Sequence, residues 1–465
     1  MTHLDFKSAF LQGELDVELY AELPDGWEIL RDMFKDQRGI TPQKDCVLRL
    51  KRGIYGLKQA GRIWYKRMSK GLTKLGFTRS PSDNCLFYMM NEDMTDVIFI
   101  TTWVDDCIVS YNNATTWQKV LKKICKEFAL GAGVDFEWCL GMAVTRDLKG
   151  GRTCLHQSLY VHNLIKTFGM ETCNPVRTPA DPNVTLSKDM SPTTEEDKEG
   201  MSNKPYRSLL GALLHLANFT RPDISLAVGI CARYANCFGC EHWKALKRIV
   251  RYLKGTIDPE TQLSPGLVYR RDKQLGAPIV GYVDSDYARC PDTRKSTLGY
   301  VFLAAGGPIQ WESSKQKIVA TSTAEAEYTA LAEAVKEAIW IKKILHDLRL
   351  PIKSIALHED NQACIKIAEN PVFHKRTKHI DVRAHLVRHH LEAGNISIPY
   401  VSTEDQLADM LTRPLAKSPF ERNAGRLLQW PHQDRPWGDS PTGHAMMIPT
   451  DPAVPPEKLG PCDIP

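Results

Sequence analysis

The stretch CLFYMMNEDMTDVIFITTWVDDCIVS (residues 85–110) decides the fold of the N-terminal half of the chain. Its β-branched, aromatic and other apolar residues predict two strands, CLFYMM and VIFITTWVDDCIVS, around a polar turn at Asn91–Asp96. The second run contains Asp105 and Asp106, which we place at the tip of a hairpin. Because aspartate favours turns, this pair alone leaves a turn and a metal site equally open.

Two motifs upstream of this hairpin narrow the choice. HLDFKSAFLQG (3–13) places Asp5 at the end of a short apolar strand, and YGLKQAGRIWY (55–65) follows it. In this order, with the VDD sequence downstream, the motifs resemble the reverse transcriptase palm of copia-type LTR retrotransposon Pol polyproteins. The resemblance continues to about residue 420. The stretches that resemble the thumb and connecting region are LHQSLYVHNLI (155–165), YRSLLGALLHLANFTRPDISLAV (206–228) and RYLKGT (251–256).

The resemblance implies a role for each palm residue. Asp5, Asp105 and Asp106 would hold two Mg²⁺ ions, with Mn²⁺ as a substitute, since hard cations prefer carboxylate oxygens. Gln59 would help to seat the incoming deoxynucleotide triphosphate or the template, and Phe10 would lie beneath the sugar of that nucleotide. Trp103 stands where the family usually has a tyrosine. The family also places a fingers region before Asp5, so we expect this sequence alone to be an incomplete polymerase.

A second set of acids lies between residues 278 and 413, where strands come first and then alternate with helices. GYVDSDYA, STAEAEYTA, HEDNQA and QLADML place acids in an order similar to that of RNase H. The resemblance assigns two Mg²⁺ ions to Asp284, Glu327, Asp360 and Asp409. Glu325 competes with Glu327, but Ser322 followed by Glu325 fits a helix capping box, so we assign Glu325 to the cap and Glu327 to the metals. Asp286 is expected to be a supporting acid.

Basic residues and histidines suggest further sites. The helix predicted in HWKALKRIVRYLKGT carries five basic residues that could follow phosphates beside a polymerase site or be solvated. They are Lys244, Lys247, Arg248, Arg251 and Lys254. Cys237, Cys240 and His242 lack the fourth ligand of a zinc site, so we interpret them as core or helix-end residues. We likewise interpret the histidines of 379–390 as part of a helix similar to one in the family.

The fold class expected is an α+β reverse transcriptase palm with a helical thumb or connection, followed by an α/β RNase H-like domain with a mixed sheet flanked by helices. Composition shifts suggest linkers rich in Pro, Ser, Thr and charge, and a disordered tail rich in proline. The expected boundaries are palm 1–177, linker 178–205, helical thumb 206–256, linker 257–277, RNase H-like domain 278–420 and tail 431–465.

Bulk composition restricts the class of protein. Lys and Arg total 60 against 55 Asp and Glu, so the net charge of +5 permits a nucleic-acid partner without arguing for one. The 13 cysteines have no regular spacing and suggest reduced thiols. We find no signal peptide and no apolar run that could span a membrane, and expect a cytoplasmic or nuclear protein, or one in a virus-like particle.

The sequence therefore predicts an RNA-directed DNA polymerase and ribonuclease H. It would act on primer-template and on RNA–DNA hybrid, use deoxynucleotide triphosphates and have no membrane partner. Its oligomeric state is left open. Two alternatives stay open: a catalytically incompetent retroelement remnant that binds nucleic acid, and a scaffold protein that uses the RNase H fold.

Overall fold

The computed structural model describes residues 1–26, 47–131, 134–271, 279–350, 352–370 and 381–431. The expected disordered tail, apart from Pro431, and His379 lie outside these residues. The described residues fall into two compact units, one within residues 1–155 and 269–413 and the other within residues 156–268 and 414–431. Within the described residues, none of the helices is long and apolar enough to cross a membrane.

The described elements are strands of two to nine residues and helices of four to 25 residues. The strands are β1 (Thr2–Asp5), β2 (Glu14–Ala21), β3 (Leu48–Arg52), β4 (Thr78–Arg79), β5 (Leu86–Met90), β6 (Val97–Trp103), β7 (Asp106–Tyr111), β8 (Val134–Asp135), β9 (Trp138–Cys139), β10 (Met142–Asp147), β11 (Arg152–His156), β12 (Leu267–Arg270), β13 (Ile279–Ser285), β14 (Thr297–Ala304), β15 (Gly307–Lys315), β16 (Ile355–His358) and β17 (Ile396–Ser397). The helices are α1 (Ala60–Lys74), α2 (Ala114–Glu127), α3 (Ser158–Thr167), α4 (Glu195–Ser202), α5 (Tyr206–Phe219), α6 (Ser225–Ala232), α7 (Cys240–Gly255), α8 (Thr323–Asp347), α9 (Gln362–Glu369), α10 (Asp381–Glu392), α11 (Asp409–Thr412) and α12 (Lys417–Leu427).

The N-terminal domain (residues 1–155) is built on a six-stranded sheet of order β4-β5-β6-β7-β1-β8. Alternate residues of its strands, such as Phe87, Ile98, Ile100 and Val109, face a core that α1 and α2 complete with their own apolar side chains. The strand expected at 97–110 is in fact two strands, since the chain reverses at Val104 and Asp105 and β6 pairs antiparallel with β7. The prediction of one continuous strand was wrong, while the hairpin tip predicted for the acids is confirmed.

The second unit is helical and begins earlier than expected. Residues 156–177 belong to it rather than to the palm, because the buried side of α3, Val161, Leu164 and Ile165, packs in this unit, with α3 contacting α7. Residues 414–431 also belong to this unit instead of the RNase H-like domain. The linker expected at 178–205 contains a 3-10 helix and α4, whose N-cap Thr194 accepts a hydrogen bond from the Asp197 N–H.

The C-terminal domain (residues 279–413) contains a mixed five-stranded sheet of order β15-β14-β13-β16-β17. β13 is antiparallel to β14 and parallel to β16, and β16 is parallel to β17. The long α8 lies on this sheet through small and apolar residues, among them Tyr328, Leu331 and Val335, which are fully buried. The mixed sheet flanked by helices that we predicted here is confirmed.

Candidate active site

Two of the predicted acids meet at one edge of the C-terminal sheet. β13 and β16 are parallel and in register, with Tyr282 opposite His358. Asp284 follows Tyr282 by two residues, and Asp360 follows His358 by two residues. The carboxyl ends of adjacent parallel strands therefore bring Asp284 and Asp360 to the same place.

Glu327 reaches this edge from the second turn of α8, and capping fixes where that helix begins. Ser322 Oγ accepts a hydrogen bond from the Glu325 N–H (3.2 Å), and Glu325 Oε2 accepts one from the Thr321 N–H (2.6 Å). In the capping box that we expected, the Glu325 carboxylate accepts a hydrogen bond from the backbone N–H of the cap residue, Ser322. It instead accepts one from Thr321, the residue before Ser322. The assignment of Glu325 to the cap is supported, because its backbone N–H and its carboxylate both form hydrogen bonds at the helix start.

Asp409, the first residue of α11, reaches the edge because α11 lies directly on β14. Gly299 makes this approach possible: a Cβ there would lie 2.8 Å from the Leu411 Cβ. Gly299 is also the cross-strand partner of Asp284. The helix that carries Asp409 therefore packs beside the strand that carries Asp284.

The structure brings these acids together in two overlapping groups. In the described part of the chain, Asp284, Asp360 and Asp409 form one group of potential ligand oxygens within 4.8 Å of one another. Glu327, Glu359 and Asp360 form another. All four predicted acids belong to these groups. Glu359 is a fifth acid that sequence reasoning missed, although it lies next to Asp360 in the HED motif.

Neighbouring side chains orient three of the acids. Thr412 donates a hydrogen bond through Oγ1 to Asp284, and Thr403 Oγ1 donates one to Asp360 Oδ2 (2.7 Å). Arg413 Nη2 donates to Asp409 Oδ2 (2.6 Å). Thr412 and Arg413 are further residues that we did not predict. Arg413 lies one helical turn after Asp409, a spacing typical of an ion pair, and this could have revealed it.

Burial and mutual repulsion raise the pKa of these carboxyls. Burial, followed by the charge of Asp409, raises the pKa of Asp284 to about 7. Burial also raises the pKa of Glu327 and of Glu359 well above the usual range, and nearby acids add to the effect. The site thus brings several carboxylates together. They could all be ionised only if nearby cations compensated their negative charge.

Several buried oxygens in the cluster have no hydrogen-bond donor among the residues that the structure describes. They are Glu327 Oε2, Glu359 Oε2 and Asp409 Oδ1. An unpaired buried carboxylate oxygen is costly unless a proton or a cation satisfies it. All of these donors are hard oxygens of the kind that Mg²⁺ and Mn²⁺ prefer, so the residues present fit divalent cations.

The cluster opens into a groove of about 540 Å³. Its wall includes Asp284, Glu327 and Asp360 together with the exposed side chains of Tyr287 and Arg289. Asp286 also lines it, but its Oδ1 accepts a hydrogen bond from the Thr297 N–H (2.8 Å). Asp286 is therefore held by the start of β14, which fits the supporting position expected for it.

The palm acids have a different geometry. Asp5 and Asp106 are direct cross-strand partners of β1 and β7, and Asp105 lies in the turn before β7. Asp106 Oδ1 lies 2.9 Å from His3 Nε2 on the neighbouring strand. Asp5, Asp105 and Asp106 lie close in the fold, but among the described residues they are not one of the groups with ligand atoms within 4.8 Å.

The turn between β6 and β7 is strained at its first residue. Val104 has φ of 56°, a left-handed conformation that is unfavourable for a β-branched residue. Trp64 Nε1 donates to the Val104 carbonyl oxygen at 2.6 Å. Local strain of this kind persists where the surroundings impose it and is frequent at functional sites.

Phe10 and Gln59 lie on separate elements, Phe10 in a 3-10 helix (Ala9–Gln12) and Gln59 at the start of α1. The Phe10 ring is half-buried and its centroid lies 4.6 Å from that of Tyr55. Burial and the charges of Asp105 and Asp5 raise the pKa of Tyr55, which shows that Tyr55 lies near both acids. Gln59 precedes the first residue of α1 and makes no side-chain capping bond.

Comparison with known proteins identifies the family. The family described as reverse transcriptase (RNA-dependent DNA polymerase) matches residues 1–182. The chain is 35% identical over 418 residues to the Retrovirus-related Pol polyprotein from transposon TNT 1-94 of Nicotiana tabacum, covering 90% of this chain and 30% of that protein. It is 30% identical over 335 residues to a transposon Ty5-1 protein of Saccharomyces cerevisiae, covering 72% of this chain and 100% of that one. The chain belongs to the copia-type retrotransposon Pol polyproteins.

The Pol chain spans about a third of the length of the plant relative. Among solved structures, it is similar to a foamy viral protease–reverse transcriptase in complex with double-stranded DNA. That similarity has a TM-score of 0.46 and 16% identity, and covers 86% of this chain and 67% of that one.

The basic side chains of helix α7 in this Pol chain contact nearby residues of the same unit. Arg248 Nε donates to the Thr178 carbonyl oxygen (3.2 Å), Arg251 Nε to that of Asn174 (2.7 Å) and Lys254 Nζ to that of Cys173 (2.7 Å). Lys244 pairs with Glu241, and Lys247 lies over the Trp243 ring. These contacts hold residues 173–178 against α7, a role that the sequence pattern did not indicate.

The metal alternatives to the carboxylate cluster find no support in the described residues. His242 is buried, accepts a hydrogen bond from the Gly239 N–H (2.9 Å) and lies 3.1 Å from the Ser187 carbonyl oxygen. Both ring nitrogens are thus engaged at the start of α7, as the core interpretation predicted. His390 Nδ1 lies 3.2 Å from Asn395 Nδ2. No histidine or cysteine is in the described groups that could hold a metal ion.

Proposed function

We propose that this chain hydrolyses the RNA strand of RNA–DNA hybrids at the cluster in its C-terminal domain, and that its N-terminal domain serves RNA-directed DNA synthesis. One observation carries the first proposal. Carboxylates from two parallel strand ends and two helices converge, and several of their buried oxygens have no donor within the described ranges of the chain. A fold that only needed stability would not retain such a cluster, because it costs free energy.

Asp284, Glu327, Asp360 and Asp409 would hold two divalent cations. When bound, such a pair activates water and stabilises the departing 3′-oxygen. The chain's own residues supply the positioning. Thr412 and Thr403 fix the carboxylates of Asp284 and Asp360, while Arg413 fixes Asp409 and balances part of the negative charge.

The exposed rim would contact the nucleic acid. Arg289 and Tyr287 border the groove and are exposed. A guanidinium binds phosphate oxygens, and an aromatic ring can stack on a sugar or base. Recognition of the RNA strand depends on its 2′-hydroxyl, which distinguishes it from DNA.

We expect the 465-residue chain to cleave a labelled RNA strand in an RNA–DNA hybrid with Mg²⁺ or Mn²⁺. Asp360→Asn should slow cleavage by about a hundredfold or more, because this carboxylate belongs to both ligand groups and each tenfold change is about 1.4 kcal/mol. The amide can still accept the Thr403 hydrogen bond, so the fold should be retained. Denaturing gel electrophoresis measures the cleavage rate.

Glu404→Gln is the matched control, since Glu404 is exposed and lies next to Thr403. It should cleave at the rate of the unchanged chain. No cleavage by a folded sample of the unchanged chain would refute the hydrolysis proposal. Equal rates for Asp360→Asn and the control would show that the cleavage does not depend on this cluster, and would also refute the proposal.

Polymerisation is the second candidate function. It is favoured by the family match over residues 1–182 and by the placement of Asp5, Asp105 and Asp106 at one end of the β1–β7 pair. Two cations held there would activate the primer 3′-oxygen and stabilise pyrophosphate. His3 Nε2 lies 2.9 Å from Asp106 Oδ1 and would help to orient this carboxylate.

Phe10 is expected to select deoxynucleotides. A ring pressed against C2′ leaves no room for a ribose hydroxyl, and burying an unpaired hydroxyl costs about 1–3 kcal/mol. In a preparation with polymerase activity, Phe10→Val should increase ribonucleotide incorporation about tenfold or more relative to deoxynucleotide incorporation. Primer extension with each nucleotide type measures this ratio. An unchanged ratio, with both activities and the melting temperature lowered, would instead show that Phe10 is only a core residue.

A further inference from the structure

Glu359 has an environment unlike that of an ordinary surface acid beside a strand. Its side chain is fully buried, and along β16 it continues the alternation of Ile355 and Leu357, which are also fully buried. This alternation directs Glu359 toward the side of the sheet that α8 covers. A glutamate at a position suited to an apolar residue requires a charged or polar partner.

The hydrogen bonds of Glu359 satisfy only part of its carboxylate. Oε1 accepts from the Asn361 N–H at 3.0 Å. Oε2 is buried without a hydrogen-bond partner among the described residues, although the Cys364 thiol, a weak donor, lies nearby. In the described part of the chain, no lysine or arginine forms an ion pair with this carboxylate.

The Glu359 carboxylate lies close to other acids. Ligand atoms of Glu327, Glu359 and Asp360 lie within 4.8 Å of one another. Oxygens bound to one Mg²⁺ lie up to about 4.2 Å apart, given metal–oxygen distances of about 2.1 Å. Neighbouring oxygens on such an octahedral ion lie only about 3 Å apart, so one ion could bind all three side chains if they moved closer around it. Glu327 Oε2, like Glu359 Oε2, is buried and has no hydrogen-bond donor among the residues that the structure describes.

We propose that Glu359 is a fifth acidic ligand of the cluster, which with Glu327 and Asp360 holds one divalent cation on the inner side of the groove. A second cation would lie between Asp284, Asp360 and Asp409, and Asp360 would bridge the two positions. This inference rests on the proposed function for its cations. It adds a ligand that the four-acid pattern does not contain.

Manganese binding to the full chain tests this proposal without depending on catalysis. Free Mn²⁺ is measured by electron paramagnetic resonance during titration of the unchanged chain, Glu359→Gln, Glu359→Asp and Glu325→Gln. Glu325 is a matched control, because it is a buried acid of the same domain engaged at the cap of α8. Glu359→Gln preserves the volume of the side chain and removes its charge.

We expect Glu359→Gln to bind one Mn²⁺ fewer, or to bind it at least tenfold more weakly, while Glu359→Asp and Glu325→Gln keep the full number. The proposal is overturned if folded Glu359→Gln matches the unchanged chain in number and affinity within twofold. It is also overturned if Glu359→Asp or Glu325→Gln loses the ion as fully as Glu359→Gln, since the loss would then result from altered packing of the domain. Circular dichroism establishes folding. Should Glu359→Gln not fold, Glu359→Ala takes its place: loss of one Mn²⁺ or at least tenfold weaker binding supports the proposal, and binding within twofold of the unchanged chain overturns it.

Cleavage of the labelled hybrid by the same samples separates the two proposals. Cleavage by the unchanged chain with normal Mn²⁺ binding by Glu359→Gln would refute the role of Glu359 and leave the hydrolase function intact. Loss of an ion in Glu359→Gln without cleavage by the unchanged chain would refute the hydrolase function and leave the ligand assignment intact.

Discussion

Asp284→Asn is expected to abolish RNA cleavage and, when divalent cations are removed, to make the protein more stable. Cleavage should fall by at least a hundredfold, because a ligand of the cation cluster is lost and such a cation contributes several kcal/mol of charge stabilisation. Stability should rise because the substitution removes a buried acid that Asp409 and Asp360 repel. The amide can still accept the hydrogen bond from Thr412.

The stability gain should depend on pH in a defined direction. The pKa of Asp284 is raised from 3.8 to about 7 in the folded chain, chiefly by burial. The protonated form therefore favours folding, and this favourable contribution is lost as the pH rises from about 4 through 7. Asp284→Asn should thus gain little at pH 4 and most above pH 7.

Thermal unfolding in EDTA at pH 5 and pH 8 measures this effect. We expect a rise of several degrees at pH 8, since about 1 kcal/mol corresponds to roughly 4 °C for a domain of this size. Asp292→Asn, in the same domain but outside the cluster, is the control and should show no such gain. A destabilised Asp284→Asn at pH 8 would contradict the description of the cluster as a site kept for cation binding.

Breaking the buried ion pair of the helical unit is expected to have the largest effect on stability. Arg221 is fully buried and donates to both carboxylate oxygens of Asp223, at 2.9 and 2.7 Å. Tyr252 Oη donates to the same carboxylate at 2.5 Å, and Arg221 Nη1 donates to Thr256 Oγ1. Asp223→Leu should lower the free energy of unfolding by about 3–5 kcal/mol, because it leaves a buried guanidinium without its counter-ion.

Urea denaturation followed by circular dichroism measures the loss. The double variant Arg221→Met/Asp223→Leu should recover much of it, because a pair of apolar residues leaves no unpaired charge. Arg207→Met is a suitable control, since Arg207 is an exposed arginine of the same unit and should change stability by at most about 0.5 kcal/mol. A single Asp223→Leu variant within 1 kcal/mol of the unchanged chain would show that the pair contributes little.

The positions of the four acids in the C-terminal domain were predictable because each lies at an element end that the sequence pattern marks. Asp284 ends an apolar strand, and Glu327 follows a capping motif. Glu359 was not predicted, because alternation along a strand sends it away from Asp360. It reaches the same cluster only because α8 brings Glu327 over that side of the sheet.

Other features depended on contacts distant in sequence. The charges of α7 suggested a phosphate-binding face, but the segment at 173–178 lies against Arg248, Arg251 and Lys254. Asp347 is a second example. It accepts hydrogen bonds from Ser80 Oγ (2.6 Å) and the Ser82 N–H (3.1 Å), and these bonds join elements that lie far apart in the chain. The periodicity of a sequence indicates which face of a helix is polar, but it does not indicate which part of the chain packs against that face.

Anomalous X-ray diffraction from crystals of the chain soaked in Mn²⁺ is the most direct measurement of cation binding by the carboxylate cluster. We predict two anomalous peaks in the C-terminal domain, one between Asp284, Asp360 and Asp409 and one beside Glu327, with Asp360 shared. Both peaks should be absent from Asp360→Asn crystals. Strong Mn²⁺ peaks elsewhere in the chain, with none at these carboxylates in well-ordered crystals, would contradict the assignment of this cluster as a two-cation active site.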